Sequence, residues 1–249
     1  MKNVTIGPHD AVIAVDLFQK AFRFGGGLPI VGGDGLVIPA INFISLPWGY
    51  VVASIDQHQL GNISFASSYR NVPVPKIGYP EITLEMVRKN WADYYVGPAA
   101  KFTAKQLVDY LENVVSCSQV LWPNHGTVEA GDGVISPPFI EVSLDYILFK
   151  GTDVLCDSYS AFVDNLGRPT GLADELRRCG IKRVFLIGLA FDYCVGWSAL
   201  DGVKESFEVY IVENLTKSVG FPANSVEAMR EQLLATGVKI ITTADISTM

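Results

Sequence analysis

The sequence predicts an α/β fold in which a parallel β-sheet lies between two layers of helices, a three-layer αβα arrangement. Short apolar, partly β-branched runs recur along the chain and alternate with segments of helical periodicity. The runs are apolar at nearly every position, which is typical of parallel strands buried on both faces. The chain has 249 residues, of which 49% are hydrophobic and 18% charged, so it can bury the core of one large domain.

Two strands are predicted in the first part of the chain, and both end at polar residues. Residues 11–15 are apolar and lead into Asp16, and residues 50–55 lead into Asp56 and His58. The carboxyl ends of parallel strands form the edge where open α/β sheets build their sites. These side chains are therefore candidates for function, although Asp16 also suits a turn or a helix cap.

An uncharged segment at residues 35–55 raises the question of a membrane span. It contains Pro39, Pro47 and Gly49, a set of helix breakers that a spanning helix tolerates poorly. We predict instead a helix capped by Asp34, a Pro-Trp-Gly turn and a buried strand.

Residues 66–120 interrupt the alternation of strands and helices. The Val-Pro-Val-Pro run at 72–75 is typical of extended chain, and Thr103 with Gln106 forms a capping box before a helical apolar stripe. We predict a single domain over residues 1–249, with this segment inserted as a cover over the edge of the sheet.

The second half of the chain repeats the alternation of strands and helices. Strands are predicted at 146–149, 184–187, 209–212 and 238–241, and helices at 173–179 and 224–237. The first of these strands ends at Lys150, and the second leads through Gly188 to Cys194, where a helix begins. A thiol at a helix N-terminus is expected to have a lowered pKa and to act as a nucleophile. A buried, inert cysteine and a surface lysine are the alternatives.

Three strand ends bring chemically complementary groups to one edge. Asp16 can take the thiol proton and hand it to a leaving amine, and Lys150 can stabilise negative charge. Cys194 can form a covalent acyl intermediate, and the N–H groups of Ala190 and Cys194 can hold an oxyanion.

The histidines suggest a metal site beside this edge. The chain has three, and two of them, His58 and His125, combine with Asp56 into a set that suits Zn²⁺, Fe²⁺ or Mn²⁺ with open positions. Ordinary loop histidines are the alternative.

Charge and cysteine content exclude some classes of function. The net charge is −7 and no basic run is present, which argues against nucleic acid and anionic membranes as partners. The four cysteines form no CxxC pair, and residues 1–5 do not resemble the start of a signal peptide. We therefore expect a cytoplasmic protein, with the nucleus left open.

A series of short segments resembles the motifs of the nicotinamidase/pyrazinamidase branch of the isochorismatase-like cysteine hydrolases, in the family's order. They are VDLFQ at 15–19 (family VDxQxDF), GLPIVGG at 27–33 (GSLxVxGG), DQH at 56–58 with SFAS at 64–67 (DxHxxxHxSFAS), WPNHGT at 122–127 (WPxHCxxGT), FKG at 149–151 (YKG), DSYSAF at 157–162 and GLAFDYCV at 188–195 (GxAxDYCV). Phe18 stands where the family has Gln, and the aromatic residue falls one place late, at Phe22. Gly126 replaces a Cys and Asn62 replaces a His, which leaves a fourth protein ligand open.

The resemblance implies a six-stranded parallel sheet of isochorismatase-like, Rossmann-like type, and it assigns roles to residues. The implied groups are the triad Asp16, Lys150 and Cys194, the metal ligands Asp56, His58 and His125, and a pyridine pocket of Phe22, Trp122 and Tyr193. A cis peptide before Ala190 would aim the oxyanion donors. The implied activity is hydrolysis of nicotinamide, and also of pyrazinamide, in NAD salvage, with zinc as the first choice of metal.

Three other functions stay open on the sequence. An isochorismatase-type vinyl-ether hydrolase would share the fold but lack the cysteine and the metal set. Another amidase of the superfamily, acting on a carbamoyl or ureido substrate, would keep the triad without needing the metal ligands. A non-enzymatic scaffold protein would need none of these groups together. Association into a homo-oligomer is also left open.

Overall fold

A six-stranded, all-parallel sheet forms the centre of the protein in a computed structural model that describes residues 4–248. The strands of the described part are β1 (Val4–Ile6), β2 (Asp10–Val15), β3 (Tyr50–Asp56), β4 (Glu81–Thr83), β5 (Ser118–Val120), β6 (Tyr146–Lys150), β7 (Arg183–Leu189), β8 (Glu208–Lys217), β9 (Lys239–Ile241) and β10 (Ile246–Thr248). The α-helices are α1 (Val37–Ile44), α2 (Leu84–Lys89), α3 (Ala104–Asn113), α4 (Leu172–Arg178), α5 (Gly196–Lys204) and α6 (Ser225–Ala235).

The order of the strands in the central sheet is β6-β3-β2-β7-β8-β9. Val15 is in register with both Ser54 and Gly188, and Asp56 is in register with Lys150. Four strands therefore end at the same edge, as predicted, because parallel strands in register bring their carboxyl ends together.

Helices pack on both faces of the sheet, which confirms the three-layer prediction. Val12 and Ala14 of β2 belong to a hydrophobic cluster that includes α1, whereas Ala11 and Ile13 belong to a second cluster. That second cluster contains buried residues of α4, α5 and α6. The two clusters lie on opposite faces because successive side chains of a strand point to opposite sides.

The segment between β3 and β6 forms a third hydrophobic cluster. Its buried members include Ile82, Leu107, Leu111 and Leu121. The capping box at Thr103 is present as predicted, and α3 starts directly after it. This segment thus has a hydrophobic core of its own. Its role as an inserted cover over the sheet edge stays a prediction.

Some local predictions are wrong. Asp34 does not cap a helix, because its carboxylate accepts a hydrogen bond from the backbone of Phe24. The helix predicted at 224–237 begins at Ser225, and Asn224 before it makes no capping hydrogen bond. The strands β1, β4, β5 and β10 were not predicted, and β10 pairs with β1 away from the central sheet. Residues 35–55 do form a helix and a strand, and no helix in residues 4–248 is long and apolar enough to cross a bilayer.

Candidate active site

Asp16 lies directly after β2, where the chain turns sharply out of the sheet. Its φ of 52° is in the left-handed region, which few residues other than glycine adopt. The side chain is fully buried, and its Oδ1 accepts a hydrogen bond of 2.8 Å from Ser54 Oγ on β3. The turn therefore directs the Asp16 carboxylate along the sheet edge instead of into solvent.

Lys150, the last residue of β6, is surrounded by acidic groups. Its Nζ lies 2.9 Å from Asp16 Oδ2, 3.0 Å from Asp56 Oδ1 and 3.5 Å from Cys194 Sγ, and it also donates to the carbonyl of Ser158. Burial alone would lower the pKa of Lys150, but the two carboxylates outweigh it and raise the pKa well above its ordinary value. Lys150 therefore carries a positive charge inside the protein.

Cys194 is in a π-type turn, Phe191–Val195, between β7 and α5. Because α5 begins only at Gly196, the thiol precedes the helix proper. Burial raises the pKa of Cys194 well above its ordinary value, the carboxylates of Asp16 and Asp56 raise it further, and Lys150 opposes them. The expectation of a lowered pKa is therefore wrong, since desolvation and the two carboxylates outweigh the charge of Lys150.

The pKa of Asp16 is also raised, mainly by burial and further by the charge of Asp56, although Lys150 acts in the opposite direction. A carboxyl group with a raised pKa is better matched to carrying a proton near neutral pH than an ordinary one. Asp16 and Cys194 thus contact the same buried ammonium group, and both have raised pKa values.

Asp56, His58 and His125 come together beside this pair, as predicted. Asp56 Oδ2 lies 3.0 Å from His58 Nε2 and 3.2 Å from His125 Nε2, and the three ligand atoms all lie within 4.8 Å of one another. Burial would raise the pKa of Asp56, but the charges of His58 and Lys150 lower it well below its ordinary value. The third histidine, His9, contacts the carbonyl of Gly180 elsewhere in the fold.

The donor set fits a divalent transition metal. The Nδ1 atoms of His58 and His125 face the carbonyl oxygens of Gly151 and Pro123, at 2.9 and 2.7 Å. Carbonyls in that position orient a histidine so that Nε2 presents its lone pair, as in known metal sites. The observed carboxylate and two imidazoles are ligands that zinc, iron and manganese accept.

Asp157, the first residue of the DSYSAF segment, was not predicted to be part of this site. Its Oδ1 lies 4.0 Å from His58 Nε2, and its Oδ2 is buried with no hydrogen-bond partner. Such an orphaned oxygen suits a cation or a water bound to it. Asn62, by contrast, donates to the carbonyl of Asp153 and accepts from Ser64, so its amide is already satisfied.

A small pocket opens onto Cys194. Its volume is about 30 Å³, room for about two waters. The predicted residues Phe22, Trp122 and Tyr193 all line it. The other lining residues are Leu28, Ile30, Asp56, Asp157, Ser158, Tyr159, Ala190 and Val219. Aromatic and apolar side chains therefore form most of the walls of this pocket, and Cys194 and the two carboxylates also border it.

The peptide bond between Leu189 and Ala190 is cis, as the resemblance implied. Ala190 and Cys194 both border the pocket. The assignment of their N–H groups to an oxyanion stays a prediction.

Comparison with known proteins places this fold and site in a class. The family model described as the isochorismatase domain matches residues 156–245, which include the turn that carries Cys194. Together with the parallel sheet, this match indicates an isochorismatase-like α/β hydrolase.

Relatives that align with nearly the whole chain define a narrower group within this class of hydrolases. The nicotinamidase of Acinetobacter baylyi is 30% identical, over 95% of this chain and 94% of the relative. The structure of PnC1 from L. infantum in complex with nicotinate has a TM-score of 0.73 and 26% identity, covering 99% of this chain and 100% of that one. The pyrazinamidase of Pyrococcus horikoshii in complex with zinc has a TM-score of 0.61 and 26% identity, covering 94% and 99%. The chain belongs to the nicotinamidase/pyrazinamidase branch of the isochorismatase-like hydrolases, a group of amidohydrolases.

Proposed function

We propose that this protein hydrolyses nicotinamide to nicotinate and ammonia through an acyl-enzyme on Cys194. The observation that carries the proposal is the contact of Lys150 with both Asp16 and Cys194, the last of which lines a pocket with aromatic walls. A nucleophile, a proton carrier and a fixed cation are what hydrolysis of a carboxamide needs. The product would return the pyridine ring to NAD synthesis, and pyrazinamide, with a similar flat ring, is a second substrate.

In the first half of the reaction, Cys194 attacks the carbonyl carbon of the amide. Asp16 takes the thiol proton as the S–C bond forms, and Lys150 compensates the negative charge. The N–H groups of Ala190 and Cys194 stabilise the oxyanion. Asp16 then gives its proton to the amide nitrogen, so that the C–N bond breaks and ammonia leaves instead of the poor leaving group NH₂⁻.

In the second half, water hydrolyses the thioester. Asp16, ionised again, accepts a proton from the attacking water, and the C–S bond breaks to release nicotinate. The proton on Asp16 returns to the Cys194 sulfur, which restores the resting state. A neutral thiol and an ionised carboxylate start each cycle, in accord with the raised pKa of Cys194.

We further propose that Asp56, His58 and His125 hold one divalent ion, zinc by preference because the Pyrococcus horikoshii relative is a complex with zinc. Such an ion would supply a Lewis acid for the nitrogen of the substrate ring. The chain's own contribution is to orient the ring between Phe22, Trp122 and Tyr193 with its carboxamide toward Cys194.

The test is ammonia release from nicotinamide, measured for the native protein, for Cys194→Ala and for Cys117→Ala. Cys117 is an exposed thiol outside the site, so its variant is the control. We expect the native protein and the control to release ammonia, while Cys194→Ala keeps its thermal stability and loses turnover. Release from a carbamoyl or ureido substrate but not from nicotinamide would favour the other amidase class, and substantial activity of Cys194→Ala would rule out covalent catalysis.

A further inference from the structure

The end of β3 extends beyond its neighbour β2. In the register of the two strands Val15 pairs with Ser54, and the N–H of Asp16 still donates to the carbonyl of Ser54 at 3.1 Å. The positive φ of Asp16 then turns the chain away. Two residues further along β3, the N–H and C=O groups of Asp56 also face the side on which β2 lies. Because β2 has already ended there, these groups have no strand to pair with on that side.

The side chain of Gln19 occupies the place of the missing strand. Its Nε2 donates to the carbonyl of Asp56 at 2.8 Å, and its Oε1 accepts from the N–H of Asp56 at 2.6 Å. Gln19 is fully buried. A carboxamide has the same donor and acceptor as a peptide group, so this side chain extends the hydrogen bonding of the sheet by one residue.

Asp56 connects the two halves of the site. Its Oδ1 contacts Lys150 Nζ, and its Oδ2 contacts both His58 and His125. A rotation or shift of the Asp56 backbone would therefore displace the carboxylate from the charge of Lys150 and from the two imidazoles together.

We infer that Gln19 is a positioning residue that fixes the backbone of Asp56 and thereby sets both metal affinity and the placement of Lys150. This inference rests on the metal site of the proposed function. Gln19 touches neither the metal ligand atoms nor the pocket, and its other amide contact, a long one of 3.5 Å to the carbonyl of Asp132, leads away from the site, so it acts through Asp56. The family comparison of the sequence assigned Phe18 to the Gln position, but Phe18 packs against Phe139, with ring centroids 4.3 Å apart, and Gln19 holds the strand end.

The space around this contact is closed. A Cβ added to Gly126 would lie 2.3 Å from the carbonyl oxygen of Asp56 and 3.3 Å from Gln19 Nε2. A side chain at position 126 therefore has no room to take the place of the Gln19 amide beside Asp56.

The inference is tested by zinc titration of metal-stripped protein against a competing chelator. Gln19→Met removes the donor and acceptor at similar length, and Gln19→Asn keeps the amide but is too short to reach Asp56. Gln59→Met is the matched control, because Gln59 also donates to a backbone carbonyl, that of Thr152, without touching Asp56. We expect roughly 10- to 100-fold weaker zinc binding in both Gln19 variants and native affinity in the control.

With zinc saturating, kcat for nicotinamide should fall in the Gln19 variants while KM changes little. If a metal-free variant does not fold, thermal unfolding at graded zinc concentrations gives the same affinity ratio. Native zinc affinity in both Gln19 variants, or an equal loss in Gln59→Met, would overturn the inference. A native protein that binds zinc but leaves nicotinamide intact would overturn the proposed hydrolysis alone, and one that hydrolyses nicotinamide but binds no zinc would overturn this inference and the proposed metal site.

Discussion

At the scale of single residues, the charge balance around Lys150 decides the chemistry. One buried ammonium group lies next to two carboxylates and a thiol, so not all three acidic groups can be ionised at little cost. Asp56 takes the negative charge most readily, because the histidines and Lys150 lower its pKa, whereas the pKa values of Asp16 and Cys194 are raised. In the proposed mechanism, the proton that moves is therefore the one that Asp16 and Cys194 exchange.

Asp16→Asn keeps the shape of this residue but cannot carry a proton. We expect kcat to fall by roughly 10²- to 10⁴-fold, with binding of nicotinamide largely retained. Mass spectrometry of the stopped reaction should show no acyl-enzyme on Cys194. Accumulation of acyl-enzyme at the native rate would mean that another group protonates the departing ammonia.

The pH dependence follows from the same two shifts. As pH falls through the raised pKa of Asp16, the carboxylate is protonated and can no longer accept the thiol proton, so kcat/KM declines. As pH rises through the raised pKa of Cys194, the thiol loses the proton that the departing ammonia needs, so kcat/KM declines again. We expect a broad profile with its acid limb above 3.8 and its alkaline limb above 9.0, the ordinary values of these groups. An acid limb at or below 3.8 would contradict the raised pKa of Asp16.

At the scale of elements, the site depends on turns that follow strands closely. Gly151, directly after β6, has a φ of 72°, and its carbonyl oxygen lies 2.9 Å from His58 Nδ1. A Cβ at this position would lie 2.6 Å from His58 Cε1 and 3.0 Å from Asp56 Oδ1. Glycine is thus required here for its backbone conformation and because it lacks a side chain.

Gly151→Ala should weaken metal binding and lower kcat/KM, because the new methyl group displaces His58. Gly167→Ala is the matched control, since Gly167 has a similar φ of 77° and open space around its Cβ position. Both variants should lose about 1–2 kcal/mol of stability through left-handed strain, measured by thermal unfolding. Only Gly151→Ala should lose metal, and equal metal content in the two would contradict the steric argument.

At the scale of the whole molecule, the candidate metal ligands come from two distant segments. Asp56 is the last residue of β3 and His58 follows two residues later, whereas His125 lies beyond β5, after the segment with its own hydrophobic cluster. A bound ion would therefore link these two parts, and its binding free energy would add to the stability of the folded state.

Removal of the metal with a chelator should abolish hydrolysis of nicotinamide and lower Tm. At a metal concentration of about 100 Kd, the loss is about 2.7 kcal/mol, or roughly 5–10 °C for a chain of this size. His58→Ala should show the lower Tm without chelator and no further response to it. His9→Ala, which changes a histidine outside the site, should respond as the native protein does, and an equal loss of response in this variant would argue against the assigned ligands.

The residues that follow the strands could be identified from the sequence because their signal is local. Apolar runs predicted β2, β3, β6 and β7, and the positions of Asp16, Lys150 and Cys194 after those runs predicted a shared edge. Parallel strands must align their carboxyl ends, so a correct strand prediction also predicts which side chains come together at that edge. The capping box at Thr103 was predictable for a similar reason, since both partners lie within one turn.

Tertiary structure alone decided the properties that depend on burial and on contacts between distant segments. The pKa of Cys194 is raised instead of lowered because the fold desolvates the thiol next to two carboxylates, which no local pattern records. The contact of Gln19 with Asp56 joins residues on different segments, and β10 pairs with β1 across nearly the whole chain. Sequence periodicity reports which face of an element is apolar, but the electrostatic environment of a side chain depends on which other elements pack around it.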